Sequence, residues 1–335
     1  MVDATNTPST LNIHRLDNAL FADKKITFAT ANLFNFVEPP NAFYDFENIY
    51  EHQAWREKKR WTQHQLTQLN ADIVGLQEIF SIAAAQQMME QLGYSYFATV
   101  ETPTVEQDYI YSKPVVAIAS KYPITQVNPV SPISEIALDY QTQIPSFSRQ
   151  PVQTIIHVPE IGDIAVYVCH LKSQRATESR SPERDLPLVG RWLSSQQRGW
   201  EALMLRLFMQ REYQHNPRPT VLLGDFNQAI SSDITGLLTE QVEQPDSALT
   251  LEDSWQLFNL TRPNAERKAT HYHFAKGNVL DYILLSQEFQ PHSPYSLADV
   301  TDYLVLDKHL TNPHFELDKQ ASDHAFVATT VRFIL

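Results

Sequence analysis

The sequence predicts a single α/β domain, and three features predict it. Short β-prone apolar runs alternate with stretches of helical apolar spacing. No shift in composition marks a linker anywhere in the 335 residues. Several apolar runs also stop at polar groups: Asn32, Gln77-Glu78, His170, Asp225-Phe226-Asn227, Asp281 and Asp323-His324. Ligands and catalytic groups in α/β folds gather at strand ends, so these endings mark the candidate site.

Residues 1–23 read as a flexible lead-in and 24–335 as the domain. Ile26–Ala31 is the first strand, and 41–51 is a loop rich in Asn, Tyr, Phe and Glu. Trp55, Leu66 and Leu69 set a helix over 55–69. Ile73–Leu76 is a short strand. A second helix over 82–92 is stopped by Gly93. Strands follow at 94–100 and 115–119, then a turn at Lys121-Tyr122-Pro123 and two strands at 152–158 and 164–169. The charged stretch 174–190 reads as a long surface loop. Trp200, Leu203, Met204, Leu207 and Phe208 form one stripe of a helix over 194–213. The strand 219–223, a helix or loop near 233–241 and strands at 279–285 and 325–334 complete the pattern. Residues 291–321 read as a poorly patterned insertion.

The formal net charge is −13, which argues against a broad basic face coating nucleic acid. It leaves room for an acidic cleft in which a divalent cation reverses the local field. The one cysteine, Cys169, excludes an intramolecular disulfide and argues against a metal-thiolate site. Met1–Asn18 lacks the apolar core of a signal peptide, and no run reaches membrane-spanning length. A cytoplasmic protein with no transmembrane segment is expected.

Asp225 and Asn227 lie two apart after Pro219–Gly224, and on extended backbone they project from one face. An Asx turn in which both cap local backbone is the competing explanation. The strand ends together offer four carboxylates, a set suited to a hard cation, two imidazoles and three carboxamides, an inventory for metal-assisted phosphoryl or acyl hydrolysis.

The segments Thr30-Ala31-Asn32-Leu33, Asp72–Glu78, His170-Leu171-Lys172-Ser173, Gly224-Asp225-Phe226-Asn227, Leu280–Leu284 and Ser322-Asp323-His324 resemble the endonuclease/exonuclease/phosphatase superfamily. That is the group of deoxyribonuclease I, exonuclease III and neutral sphingomyelinases. The segments occur in the family's order and span residues 26–335. The resemblance implies a four-layer sandwich, with two packed mixed β-sheets flanked by helices and the motif loops at one end.

By the same resemblance, Glu78 is the principal Mg²⁺ ligand (Mn²⁺ as a substitute), with Asn32 and Asp323 nearby. His324 is the catalytic histidine and Asp281 the carboxylate that orients it. Asp225 positions the attacking water or accepts its proton, and Asn227 holds a phosphate oxygen. His170 matches a second histidine of the deoxyribonuclease I and sphingomyelinase branches. Arg149 and Lys172 are candidates for substrate phosphate. His271, His273, His309 and His314 lie outside the family core and read as non-ligands.

Three departures from the family pattern bear on substrate. No glycine stands near Val115-Val116. Gln228 follows Asn227, where inositol polyphosphate 5-phosphatases carry Tyr-Arg. Their PxWCDR segment is absent near Asp281. The expected activity is Mg²⁺-dependent phosphodiester hydrolysis by an activated water, with nucleic acid as first substrate. A lipid or small-molecule phosphodiester is the alternative, and a catalytically inactive binding module of the same fold the second. No protein partner is inferred.

Overall fold

The structure is a computed structural model and describes residues 23–241 and 249–334. The lead-in therefore lies, apart from Asp23, outside the described residues. Strand β1 (Lys24–Phe36) contains the apolar run Ile26–Ala31 and continues past it. It pairs in parallel with β2 (Ile73–Ile79), Phe28 opposite Ile73 and Asn32 opposite Gln77. The register slips between Asn32 and Phe36, where Phe34 and Asn35 take positive φ angles of 50° and 53°. Such a bulge re-aims side chains at a sheet's end.

In chain order, the other strands of the two large sheets are β3 (Tyr96–Ala98), β4 (Val115–Ser120), β5 (Ile124–Pro129), β6 (Val152–Val158), β7 (Gly162–His170), β8 (Thr220–Asp225), β9 (Leu251–Asp253), β10 (Asp281–Ser286), β11 (Ala298–Leu306) and β12 (Phe326–Phe333). The first sheet runs β11-β12-β1-β2-β4-β3 and the second β9-β10-β8-β7-β6-β5. Both mix parallel and antiparallel pairs. The sheets meet through Ile26, Phe28, Val116 and Val327 on one side and Val166, Val168, Val221, Leu223 and Ile283 on the other. Each such side chain contributes about 1.5–3 kcal/mol by leaving water.

Helices cover the outer faces. Helices α1 (His52–Leu69) and α2 (Ile82–Gln91) place Trp55, Trp61, Leu66, Ala85 and Met88 against the first sheet. Helix α3 (Pro187–His215) packs Ala202, Leu205, Phe208 and Met209 on the second. Helix α4 (Ser254–Thr261) is capped by Asp253, whose carboxylate accepts from the Trp255 amide. The four layers match the expected architecture. Among the described residues, no helix is long and apolar enough to cross a membrane.

Two expectations are corrected. Residues 291–321 are not an unpatterned insertion, because 298–306 form β11, an edge strand paired only to β12. Its register slips between Val300 and Asp302, which breaks the period-2 signal that marks a strand. Helix α3 starts at Pro187, inside the segment read as loop, because Leu188, Val189 and Trp192 are exposed and contribute nothing to the buried stripe.

Candidate active site

Four strands end and two begin at a single edge of the two sheets. In the first sheet β1 and β2 run in parallel, so Asn32 and Glu78 arrive together. In the second, β7 and β8 run in parallel with His170 opposite Asp225. Strand β10 is antiparallel to β8 and opens with Asp281 opposite Asp225. Asp323 and His324 lie just before β12, which runs antiparallel to β1. The site is thus a seam between the sheets. Gly224 permits the approach of β7 and β8, since a Cβ there would lie 2.2 Å from the Cys169 carbonyl oxygen.

Asp225 is the hub. Its Oδ1 accepts from the Asn227 amide at 2.8 Å. Its Oδ2 accepts from Asn32 Nδ2 at 3.1 Å and from Asn227 Nδ2 at 3.3 Å. His170 Nε2 lies 3.4 Å and His324 Nε2 3.7 Å from the same oxygen. On its far side, His324 Nδ1 is 2.9 Å from Asp281 Oδ2. Asp225, Asp281 and His324 are all buried. Burial pushes the Asp225 carboxyl up to about 7, with Asp281 adding to the rise and His324 opposing it. Burial disfavours the His324 imidazolium, but Asp281 and Asp225 outweigh it and raise that group well above its ordinary value. His170 goes the other way, because burial and then Arg149 and His324 depress it. It is a neutral imidazole at the seam.

Glu78 takes a positive φ of 59°, a conformation that costs energy in a residue with a Cβ. Its Oε2 accepts from the Asn35 amide at 2.9 Å and its Oε1 from Asn32 Nδ2 at 3.3 Å. Asn32, expected beside a cation, turns its amide nitrogen to the two carboxylates, while its oxygen accepts from the Phe34 amide at 3.0 Å. Asp323 lies in the same cleft with a buried Oδ1 that has no hydrogen-bond partner. Carboxylate oxygens with free valence are what a hard divalent cation takes, so Glu78 and Asp323 fit Mg²⁺ or Mn²⁺.

Sequence reasoning missed several supporting groups. Lys58, on the buried face of α1, is held by burial at about 8 although Glu78 and Asp323 favour its charge. Its spacing with Trp55 and Trp61, a lysine on an apolar stripe, was the available signal. Glu201 on α3 accepts from the backbone amides of Ser148 at 2.7 Å and Lys172 at 2.6 Å. Arg198 donates to the Lys172 carbonyl at 2.9 Å and to Gln228 Oε1 at 2.7 Å. Thr270 Oγ1 accepts from the Leu280 and Asp281 amides. These groups hold the site's loops, and Arg198 and Glu201 stand three positions apart on the buried face of α3.

The seam opens into a cleft of 930 Å³. Arg149, Lys172, Arg175 and Lys276 line it, so its wall is locally basic on a chain whose net charge is negative. Arg149 donates to the Leu171 carbonyl at 3.4 Å, and its Nε is buried without a partner. Of the four histidines read as non-ligands, His271 lies in the cleft beside His324, and His273 also lines it. His309 Nε2 donates to the His324 backbone carbonyl at 3.0 Å.

The fold recurs in solved structures. The human Nocturnin catalytic domain with bound sulfate anion superposes with a TM-score of 0.59 at 16% identity, covering 93% of this chain and 97% of that one. ANGEL2, a 2',3'-cyclic phosphatase, gives 0.57 at 14%, covering 92% and 95%. A humanized D. rerio TDP2 gives 0.55 at 14%, covering 92% and 98%. At these identities the likeness shows the fold alone. Comparison with curated protein sequences gave no match. The sequence pattern of the endonuclease/exonuclease/phosphatase family matches residues 29–324, a span holding every residue placed at the seam, and the chain belongs to that family.

Proposed function

We propose that this chain is a divalent-metal-dependent phosphodiester hydrolase with nucleic acid as its first substrate. Members of the family hydrolyse phosphoric esters. The observation that carries the reading is the Asp281–His324–Asp225 line, with Asn32 joining Asp225 to Glu78 across the seam. Glu78 and Asp323 would hold the cation, which supplies Lewis-acid stabilisation of phosphate charge.

A carboxyl near 7 beside an imidazole accepts a proton from water at neutral pH. Asp281 fixes the His324 ring by accepting a hydrogen bond from its Nδ1–H, which leaves Nε2 toward Asp225. Asn227 Nδ2 donates to the Leu171 carbonyl at 3.0 Å and to Asp225 Oδ2 at 3.3 Å, and exchanging the longer bond would let it donate to a phosphate oxygen. His170, neutral at the seam, donates an N–H rather than a charge. Arg149 and Lys172 line the cleft where the phosphate's remaining charge would lie.

A lipid phosphodiester is the second reading. Phe274, at the turn of the hairpin formed by His271–His273 and Lys276–Asn278, is 93% exposed beside the cleft. Purified protein is assayed on DNA, RNA, sphingomyelin and bis-p-nitrophenyl phosphate, with and without EDTA. Cleavage of DNA or RNA, abolished by EDTA, is expected. Phosphocholine release without nucleic-acid cleavage would replace the first reading with the second. Hydrolysis unaffected by EDTA would remove the metal from both.

A further inference from the structure

His271 has no task in the proposed reaction, yet it is tied to the catalytic histidine. The two form an antiparallel β-bridge, and their rings lie 5.0 Å apart, centroid to centroid. One donor atom each from His271, Asp323 and His324 falls within 4.8 Å of the others. His324 Nδ1 is engaged by Asp281, so Nε2 is the nitrogen left to offer. Asp323 Oδ1 is buried and unpartnered.

Two imidazole nitrogens and one carboxylate oxygen are not a magnesium set. Mg²⁺ takes oxygen donors, whereas Zn²⁺ and its neighbours take imidazole readily. Ligand atoms about 2.0–2.2 Å from a tetrahedral ion lie roughly 3.3–3.6 Å from one another. Closing the observed cluster to that size asks for side-chain rotation of about an ångström. His271 sits on a two-stranded hairpin whose outer residues, His273 to Gly277, are exposed.

We propose that His271, Asp323 and His324 form an inhibitory site for a transition-metal ion of the Zn²⁺ type. The inhibition rests on the reading of His324 as the proton-handling histidine. An ion on its Nε2 displaces the proton there and takes the nitrogen out of proton exchange beside Asp225, and it draws Asp323 away from the oxygen-only site. The hydrolase then runs on a hard cation and is stopped by a nitrogen-seeking one.

The test has a binding arm and a rate arm. In the binding arm, Co²⁺ is titrated into the full chain without Mg²⁺, and its visible absorption is followed for wild type, His271→Gln and His273→Gln. Wild type and His273→Gln should bind alike, and His271→Gln should bind at least about tenfold more weakly. In the rate arm, Zn²⁺ is added to Mg²⁺-supported hydrolysis of bis-p-nitrophenyl phosphate. His271→Gln should keep a comparable uninhibited rate and need about tenfold more Zn²⁺ for half-inhibition. Equal Co²⁺ affinity in wild type and His271→Gln overturns the site, as does equal Zn²⁺ sensitivity. The binding arm needs no turnover. A chain that binds Co²⁺ through His271 but hydrolyses nothing would retain the site and overturn the catalytic reading on which its inhibitory role rests.

Discussion

Four side chains crowd one oxygen of Asp225, and the protonation of that oxygen sets both stability and chemistry. Burial raises the carboxyl from 3.8 to about 7. A raised pKa means that the stability this group supplies is complete below about pH 4 and lost as pH rises through about 7. Asp225→Asn lacks that titration. Its melting temperature in EDTA, measured relative to wild type, should therefore climb between about pH 4 and pH 8. A flat difference would mean that the carboxyl is not shifted. For catalysis, Glu78→Gln and His324→Ala should each lower kcat on bis-p-nitrophenyl phosphate by ~10²–10⁴-fold in Mg²⁺. Activity unchanged by both would show that the site lies elsewhere. The strand-end groups could be found in the sequence because each is a polar residue abutting its own apolar run. Lys58, Arg198 and Glu201 could not be assigned tasks, because their partners come from segments far along the chain.

Helix α3 acts on the site without entering it. Glu201 satisfies two backbone amides, in the loops that carry Arg149 and Lys172. Glu201→Ala leaves both donors without that partner at a cost of about 1–3 kcal/mol. We expect a lower melting temperature and a raised KM, since the loops lining the phosphate wall lose their anchor. An unchanged KM would detach those loops from substrate binding. The predicted elements held where periodicity was clean, as in α1, α2 and β6. They failed where an element is paired or packed on one side only. Edge strand β11 and the exposed start of α3 carry no complete hydrophobic period.

At the level of the molecule, the spacing between sheets is part of the active site. Gly75 on β2 faces the second sheet, and a Cβ there would lie 3.0 Å from Leu223 Cβ and 3.1 Å from Val168. Leu223 stands two residues before Asp225, and Gly75 three before Glu78. Gly75→Ala should cost about 1–3 kcal/mol through overpacking and lower kcat by more than its fall in melting temperature accounts for. A variant destabilised yet catalytically intact would mean that the seam tolerates separation. This layered arrangement was not readable from periodicity, which marks strands but not their partners. It came from the family resemblance that the motifs and their order carry.

The Ser322 hydroxyl donates to the Asn32 backbone carbonyl at 2.7 Å, across a separation of 290 residues. One bond thus ties the end of the first strand to the turn that presents His324. A chain emerging from the ribosome exposes Asn32 and Glu78 early and Asp225 later, but His324 joins them only when residue 324 has cleared the exit and β12 has inserted beside β1. Contacts this distant form last, because their loop-closure cost comes before their reward. The proposed hydrolysis therefore waits for a finished fold, and a nascent or prematurely terminated chain carries an incomplete seam without His324.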